Sequence, residues 1–383
     1  MAKWLLTAKG ADFNALGEKF HIHPVTARII RNRDLIEEDE IRMFLEGNRK
    51  DLHHPGLLKD ADKMIQILQE KITAKAHIRV IGDYDIDGVM ASFILVSGLE
   101  RCGAVVSTQI PNRIQDGYGL NRQLIEKAKS EAVDTIMTCD NGIAALEEIT
   151  YAKELGMTVL VTDHHAIPYE EVDGERVFKS SVADAIVNPH QNECAYPYKE
   201  LCGAAVAWKV ICLLYEAFGI SQEEADVFLE NVAVATVGDV MPLQGENRIL
   251  VKEGLKRIKY TQNVGMKALI AQCELTPDQI NAGRIGFRLG PCINASGRLD
   301  TAKRSLELFL QKNMDDAVKL ANELVTLNNE RKELTEAGVQ QAIEYYETND
   351  CDSDKVLVIY LPEVHESIAG IIAGRIRERY YKP

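Results

Sequence analysis

Three carboxylates at alternate positions of one short stretch have the clearest capacity for chemistry in this sequence: Asp83, Asp85 and Asp87. An apolar run typical of a buried strand precedes them, and Gly88 follows before an apolar, helix-like run begins. Because no basic residue lies among them, their charges repel one another unless water or a bound cation screens them. Carboxylate oxygens are the ligands that Mg²⁺ and Mn²⁺ take. A surface turn in which an aspartate caps the next helix is the alternative.

Further acids, histidines and one amide follow three more short apolar runs: Asp140, Asp163, His164, His165, Asn188 and His190. Helix-like stretches separate the first of these runs, and this alternation predicts βαβ units in a parallel sheet. Ligands of open α/β sheets bind at the carboxyl ends of the strands. Because clusters of Asp and His at such an edge converge on metals, the sequence favours a metal site over a solvated turn.

The fold class that this pattern predicts is α/β, with a parallel β-sheet flanked by helices over residues 76–305. Residues 1–75 read as a helical N-terminal region, and residues 306–350 as one long connecting helix. Residues 351–383 read as a strand, DSDKVLVIYLP, and a helix that begin a second α/β domain. A strand and a helix do not make a stable domain by themselves. We therefore expect either a truncated chain or a tail that packs on the first domain.

Composition bounds the class of protein. The 383 residues are 46% hydrophobic and 27% charged, as in soluble globular proteins, and no run predicts a signal peptide or membrane helix. Eight cysteines without a CxxC pair favour neither a zinc ribbon nor a disulfide framework, so a reducing cytoplasm fits. Cys139 reads as a buried strand residue rather than a nucleophile. The net charge of −14 argues against wrapping duplex DNA, but a local basic groove remains compatible with it.

Several polar residues outside the strand ends are candidates for binding. Arg113 is the cation of the loop over residues 110–121, where a phosphate contact and an ion pair with an acid are equally compatible with the sequence. Residues 287–300 contain glycines and a proline, and we expect a loop that cradles phosphate with its basic and amide side chains: Arg288, Asn294 and Arg298. Asp239 lies in apolar company and needs a partner, which a metal or a helix N-terminus would supply. The adjacent His53 and His54 read as a capping turn.

Six motifs in order resemble those of the DHH phosphoesterase superfamily, and more closely those of its exonuclease branch specific for single strands. They are GDYDIDG (82–88), PNRIQDGYGLN (111–121), CDNG (139–142), TDHH (162–165), VGDVMPL (237–243) and INASGR (293–298). The resemblance covers most of residues 50–383, and it makes residues 351–383 the incomplete beginning of a DHHA1-like domain. Six motifs in order are far more specific than any one of them.

The resemblance implies a set of site residues. Two divalent ions, Mn²⁺ or Mg²⁺, would be held by Asp85, Asp87, Asp140, His164 and Asp239, with Asp140 shared between them. Asp83 would be a further ligand or a neighbouring acid, His165 would face the substrate phosphate, and Asp163 would orient the histidines. Arg113, Asn294 and Arg298 would grip substrate phosphates or sugar.

The activity that the resemblance implies is hydrolysis of single-stranded DNA from the 5′ end to 5′-mononucleotides, in DNA repair and recombination. A two-metal mechanism needs no covalent intermediate. Single-stranded DNA would be the partner, with a single-strand-binding protein or a helicase as candidate protein partners and no membrane. The alternatives are a hydrolase of small nucleotides, such as cyclic dinucleotides or nanoRNA, and a catalytically silent binding module.

Two departures from the family pattern affect this expectation. Many relatives have a histidine four residues before the middle acid of the first motif, where this chain has Ile81, so one of the two ions would be held more weakly. The chain also lacks the Gly-Ser-rich, Arg-containing loop that holds DNA and the OB-like domain. This is a further reason to expect a truncated chain.

Overall fold

The computed structural model describes residues 5–113, 116–117, 119–349 and 351–383. Its central feature is a five-stranded sheet in the order β2-β1-β3-β4-β7, in which every neighbouring pair is parallel. The strands are β1 (His77–Ile81), β2 (Val105–Gln109), β3 (Thr135–Cys139), β4 (Thr158–Thr162), β5 (Tyr169–Val172), β6 (Glu175–Phe178) and β7 (Ala185–Val187). Strands β5 and β6 form a separate antiparallel hairpin. The α/β class and the parallel sheet that the sequence predicts are confirmed.

Helices surround this sheet and precede it. The N-terminal region contains α1 (Phe13–Phe20), α2 (Pro24–Asn32), α3 (Glu38–Glu46) and α4 (Ala61–Thr73). The strand connections contain α5 (Ile86–Arg101), α6 (Arg122–Ser130) and α7 (Leu146–Glu154). After the sheet come α8 (Gly203–Ala217), α9 (Gln222–Ala225), α10 (Leu229–Gly238), α11 (Gly245–Ile258), α12 (Val264–Gln272), α13 (Ala282–Arg284), α14 (Gly290–Leu299) and α15 (Lys303–Leu310). The chain then continues through α16 (Met314–Thr348) and α17 (Glu366–Tyr380).

The two faces of the sheet have separate hydrophobic cores, because a parallel sheet is buried on both sides. On one face α5, α8 and α10 pack with residues such as Val80 and Met137. Helix α5 is apolar on nearly all sides and its residues are buried accordingly. On the other face α6 and α7 pack against Ile81, Ile136 and Val159. The alternation of side chains along each strand thus divides the apolar residues between two helical layers.

The sequence predicts one long helix over residues 306–350; the structure has this helix as α16 from Met314, whereas residues 306–310 belong to α15. The 35 residues of α16 span ~52 Å at 1.5 Å per residue. Helix α17 packs on its C-terminal half through Ile368, Ile372 and Ile376, which contact Ala342 and Ile343. The strand predicted for DSDKVLVIYLP (352–362) is wrong, because this segment pairs with no strand of the described chain. Its alternating pattern is typical of a strand, but a strand requires a neighbour for its N–H and C=O groups.

Residues 287–300 are also not the loop that the sequence predicts. A π-helical turn at Ile285–Leu289 leads directly into α14, and Pro291 lies in the first turn of α14. Gly297 lets this helix approach the Tyr84 carbonyl, since an added Cβ would lie 2.2 Å from that oxygen. The glycines therefore serve close packing of a helix rather than a phosphate-binding loop.

No helix in the described part of the chain is long and apolar enough to cross a membrane. The domain boundaries that the sequence suggests at residues 75, 305 and 350 stay predictions.

Candidate metal centre

The acids and histidines of the motifs meet at the carboxyl edge of the sheet. Strand β1 has β2 on one side and β3 on the other, so the order of the strands reverses beside β1. The stretch with Asp83, Asp85 and Asp87 follows β1, and Asp140 follows β3 directly. The pair His164 and His165 follows β4. The candidate site therefore lies where open α/β sheets bind their ligands.

Asp85 combines the two roles that the sequence left open. Its Oδ1 accepts hydrogen bonds from the backbone N–H groups of Asp87 (2.9 Å) and Gly88 (3.1 Å), which caps the first turn of α5. A ligand oxygen of Asp85 also lies within 4.8 Å of ligand oxygens of Asp83 and Asp140. Capping a helix and taking part in an acidic cluster are thus compatible for this carboxylate.

His164 connects the remaining carboxylates. Its Nε2 lies 3.1 Å from Asp140 Oδ1, 3.5 Å from Asp87 Oδ2 and 3.8 Å from Asp239 Oδ2. Three groups of possible metal ligands overlap here. Asp140 belongs both to the group with Asp83 and Asp85 and to the group with the two histidines. His164 belongs both to that second group and to the group with Asp87 and Asp239. Asp239, which caps the C-terminal end of α10, reaches this cluster as the sequence suggested.

The N-terminus of α8 donates hydrogen bonds to one carboxylate of the cluster. The backbone N–H groups of Gly203 and Ala204 donate to the two oxygens of Asp87, at 2.6 and 2.8 Å. A helix N-terminus stabilises an anion through its free N–H groups and its dipole. Gly203 is required here, because an added Cβ would lie 2.7 Å from the Cβ of Asp140. Sequence analysis missed this support, since a glycine before an apolar helix carries no specific signal.

Asp163 holds the turn that carries both histidines. Its Oδ1 accepts hydrogen bonds from the backbone N–H groups of His164 and His165 and, at 2.7 Å, from His165 Nδ1. Its Oδ2 accepts one from the Ile143 N–H. Asn188, after β7, donates to the His165 carbonyl at 2.9 Å. The hydrogen bond between its Nδ1 and Asp163 fixes the orientation of the His165 ring.

The local electrostatics reflect a dense cluster of acids. Burial, with the charge of Asp85 next, raises the pKa of Asp83 to about 7. Burial and the charge of Asp87 likewise raise the pKa of Asp140 well above its usual range, and they raise that of Asp239 to about 6. Burial would also raise the pKa of Asp163, but its hydrogen bond and charge pairing with His165 bring it below the usual value. The cluster thus retains protons unless another cation replaces them.

These residues fit divalent cations. Asp83 is 2% exposed, and its Oδ1 is buried without a hydrogen-bond partner in the described chain. Such an oxygen is costly unless a ligand supplies the missing interaction. The donor set consists of carboxylate oxygens with one or two imidazole nitrogens, which suits Mn²⁺ or Mg²⁺ better than the softer metals. Asp140 belongs to two of the three overlapping groups, as a shared ligand would.

The predicted substrate-binding residues have different surroundings. Asn294 Oδ1 accepts a hydrogen bond from the Ile86 N–H, Arg298 donates to the Ser367 carbonyl at 2.7 Å, and Arg288 donates to the Cys273 carbonyl. The Arg113 guanidinium lies 4.8 Å from the centre of the Tyr84 ring. Residues 114, 115 and 118 of its loop lie outside the described residues.

Arg298 has a neighbouring cation that sequence analysis missed. Arg331 of α16 lines, together with Asn294 and Arg298, a cavity of about 170 Å³ that also borders Gly238, next to Asp239. Burial lowers the pKa of Arg298, and the charges of Arg113 and Arg331 lower it further, so the three cations lie close together. Arg331 lies within a long amphipathic pattern, where nothing local distinguishes it from a solvated residue.

Three other expectations have a clear outcome. Ile81 is fully buried in the core against α6 and α7, so it is a strand residue of the core. Cys139 is buried, and burial raises the pKa of its thiol to about 12, which excludes a ready thiolate nucleophile. His54 caps the turn at Pro55–Leu57 through Nδ1, and the His53 carbonyl accepts a hydrogen bond from Lys209, so both histidines are structural.

Comparison with known proteins agrees with this geometry. Residues 77–236 match the model of the DHH family, N-terminal domain. The chain is 33% identical over 382 residues to the single-stranded-DNA-specific exonuclease RecJ of Bacillus subtilis, covering 100% of this chain and 47% of that protein. It thus spans about half the length of that relative.

Solved structures of RecJ are also similar to this chain. A crystal structure of exonuclease RecJ bound to manganese superposes with a TM-score of 0.74 at 34% identity, covering 85% of this chain and 79% of that one. The structure of RecJ in complex with Mn²⁺ from Thermus thermophilus superposes with a TM-score of 0.79 at 30% identity. In that case 97% of this chain and 51% of the other are covered.

Proposed function

The chain belongs to the DHH family, and we propose that it is a two-metal phosphodiesterase that hydrolyses single-stranded DNA from the 5′ end. The overlapping ligand groups around Asp140 and His164 are the observation that carries this proposal. The similarity to RecJ exonucleases, two of them solved with manganese, supports both the cation and the substrate. Release of 5′-mononucleotides and a role in DNA repair and recombination are part of the same proposal.

The ligands divide between two positions in this proposal. Asp87, His164 and Asp239 belong to one ion, Asp83 and Asp85 to the other, and Asp140 to both. Two bound ions would activate the attacking water and neutralise charge on the phosphate and the leaving oxygen. Because Ile81 contributes no nitrogen ligand, we expect the ion beside Asp83 and Asp85 to bind more weakly and to be recruited with substrate.

The protein's own side chains have separate tasks. Asp163 orients the His165 ring through its Nδ1, and His165 faces the scissile phosphate in this proposal. Arg298, Arg331 and Arg113 form a basic border beside an otherwise acidic site, which suits the backbone of a strand entering it. Asn294 has a structural task, because its Oδ1 accepts a hydrogen bond from the Ile86 N–H and so holds the turn between Asp85 and Asp87.

The location and partners of this activity are part of the proposal. The structure shows no disulfide among the described cysteines, which suits a reducing cytoplasm. Contacts with a single-strand-binding protein or a helicase stay predictions.

The decisive experiment compares substrates in the presence of Mn²⁺. We expect the protein to release 5′-mononucleotides from a 5′-labelled single strand and to leave blunt duplex and cyclic dinucleotide intact. Preferred cleavage of the cyclic dinucleotide would instead favour a small-nucleotide hydrolase. Binding of the single strand without cleavage would favour a silent binding module. A 3′-labelled strand in parallel reports the direction of digestion.

A calorimetric titration of the free protein with Mn²⁺ tests the unequal occupancy. We expect one tight site, and a second site that tightens when a non-hydrolysable single strand is present. Two equally tight sites without substrate would contradict the assignment of Ile81 as the cause of a weak position.

A further inference from the structure

A second cavity lies away from the metal centre, at the other end of the helix that carries Asp239. Its volume is about 620 Å³, and α10, α11 and the segment after α11 surround it. Glu230, in the first turn of α10, lines this cavity, whereas Asp239 caps the C-terminal end of the same helix. At 1.5 Å per residue the two positions lie ~14 Å apart. The cavity is therefore a distinct site.

The carboxyl group of Glu230 is buried and has fewer hydrogen-bond donors in the described chain than its two oxygens can accept. The residue is 6% exposed, and its Oε1 accepts a hydrogen bond of 2.6 Å from Thr261 Oγ1. The structure gives the other oxygen no hydrogen-bond donor among the described residues. Glu230 lines the cavity, so a ligand there would be within reach of this oxygen. A buried carboxyl group without an ion pair is costly, so a donor from outside the chain would stabilise it.

The neighbouring cations do not neutralise Glu230, because each has another partner. Arg257 donates to Asp226 at 3.3 Å, and Lys256 donates to Glu253 at 2.7 Å. Burial accordingly raises the pKa of Glu230 to about 7, although the charges of Arg257 and Lys267 act against this rise. Among the described residues, the cavity thus contains one carboxyl group without an ion pair, Glu230, and two basic side chains, Lys256 and Arg257, that each also pair with another acid.

Three aromatic side chains line the cavity; Phe93 and Phe228 are largely buried in the core, and Tyr260 is exposed. Phe93 and Phe228 line the cavity and meet edge to face, with ring centres 5.9 Å apart. Tyr260 lies at the rim with 79% of its surface exposed, which leaves its ring free for stacking. The side chain of Lys256 is 65% exposed at the same rim. A planar ring that carries an amino group and an anionic substituent could donate to Glu230, pack against the aromatic side chains and contact Lys256.

We propose that this cavity binds a mononucleotide whose base carries an exocyclic amino group. The amino group donates to the open oxygen of Glu230, the base packs against the aromatic walls, and the phosphate contacts Lys256 and Arg257. Adenine and cytosine carry such an amino group as a hydrogen-bond donor, whereas uracil and thymine present a carbonyl acceptor there. Base–aromatic stacking contributes on the order of 1–3 kcal/mol. The site is independent of the proposed hydrolysis.

Calorimetry separates this site from the metal centre. The full chain with Asp140→Asn is titrated in EDTA, so that neither cleavage nor metal-dependent binding contributes. We expect AMP and CMP to bind with Kd values below about 1 mM, and UMP to bind at least about tenfold more weakly, a difference of roughly 1.4 kcal/mol. Equal binding of AMP and UMP would overturn the role of Glu230, and no heat with any nucleotide would mean that Glu230 is solvated by water alone.

Two variants and one control locate the ligand. Glu230→Met removes the acceptor and should weaken AMP at least about tenfold. Lys256→Gln should weaken AMP several-fold and leave adenosine unchanged, because adenosine has no phosphate. Lys319→Gln removes an exposed cation of α16 and should change neither. Melting temperatures of all variants identify a folding defect; a stably folded Glu230→Met protein that binds AMP normally would refute the proposal.

Discussion

The side-chain Oδ1 of Asn294 accepts a 2.8 Å hydrogen bond from the backbone N–H of Ile86, which lies 208 residues earlier in the chain. Ile86 is buried between Asp85 and Asp87, so this bond ties α14 to the turn that carries two of the proposed ligands. Sequence analysis assigned Asn294 to the substrate. The structure gives its carbonyl oxygen a partner within the protein, and a contact with substrate stays a prediction.

Asn294→Ala should therefore weaken metal binding more directly than it weakens substrate binding. The Ile86 N–H loses its acceptor in a buried position, which costs about 1–3 kcal/mol of the free energy of unfolding. We expect a lower melting temperature and a weaker Mn²⁺ affinity in the absence of DNA, by calorimetry. Asn322→Ala, on the exposed side of α16, serves as the control. Unchanged Mn²⁺ affinity with weaker DNA binding would restore the substrate-contact interpretation.

Asp140→Asn should abolish hydrolysis while the protein stays folded. Asparagine keeps the size of the side chain and tolerates the left-handed backbone at this position, where φ is 59°. The loss of a shared ligand removes several kcal/mol of transition-state stabilisation, so turnover with saturating Mn²⁺ should fall by about a thousandfold or more. Turnover above a few per cent of the wild-type value would reject Asp140 as the shared ligand.

Gly203→Ala should damage the centre through packing alone. The new methyl group would lie 2.7 Å from the Asp140 Cβ and would push the N-terminus of α8 away from Asp87. Overpacking of this kind costs about 1–3 kcal/mol. Gly370→Ala is the matched control, because it lies in α17 with nothing within 4 Å, and alanine there should raise stability by up to about 1 kcal/mol. Equal melting temperatures for the two variants would contradict this packing.

Glu230 predicts a pH dependence that is independent of metal. Its pKa is raised from 4.5 in the unfolded chain to about 7 in the folded protein, first by burial. Between these values the unfolded chain has released the proton and the folded protein retains it, so the free energy of unfolding falls as pH rises from about 4.5 to 7. The contribution is on the order of 3 kcal/mol.

Denaturant unfolding in EDTA at several pH values measures this effect. Glu230→Gln cannot titrate, so its curve should fall less than that of the wild type across this range. Because the acids of the metal centre titrate in both proteins, only the difference between the two curves reports Glu230. Parallel curves would show that folding does not shift the pKa of Glu230.

A buried ion pair should make Lys209 essential for stability. Lys209 Nζ donates to Glu246 Oε1 at 2.9 Å, and both side chains are 1% exposed. Tyr196 donates to the other Glu246 oxygen at 2.5 Å, and the His53 N–H donates to Oε1 at 2.7 Å. Lys209→Met leaves the Glu246 charge uncompensated and should cost about 3–5 kcal/mol of unfolding free energy.

Adding Glu246→Gln to Lys209→Met should recover much of that loss, since the double variant buries no unpaired charge. Thermal unfolding of both single variants and the double variant checks this. Additive losses in the double variant would mean that the pair contributes through packing rather than charge.

Strong local periodicity allowed most elements to be predicted from the sequence. The apolar runs of β1, β3 and β4 and the long amphipathic pattern of α16 were all assigned correctly. The misassigned segments are those whose outcome depends on distant contacts. Residues 290–299 are helical because their glycines pack against Tyr84 and neighbouring helices, and residues 354–361 lack a neighbouring strand to pair with.

The sequence by itself determined which chemistry is available, because only carboxylates and imidazoles at the ends of apolar runs could gather at one edge of a parallel sheet. The tertiary structure decided how these groups are held. Backbone N–H groups of Gly203 and Ala204 stabilise Asp87, and Asn294 fixes Ile86 across 208 residues. Arg331 reaches the basic border only because α16 passes beside α14. Contacts between segments far apart in the chain follow from packing in three dimensions, and no local pattern encodes them.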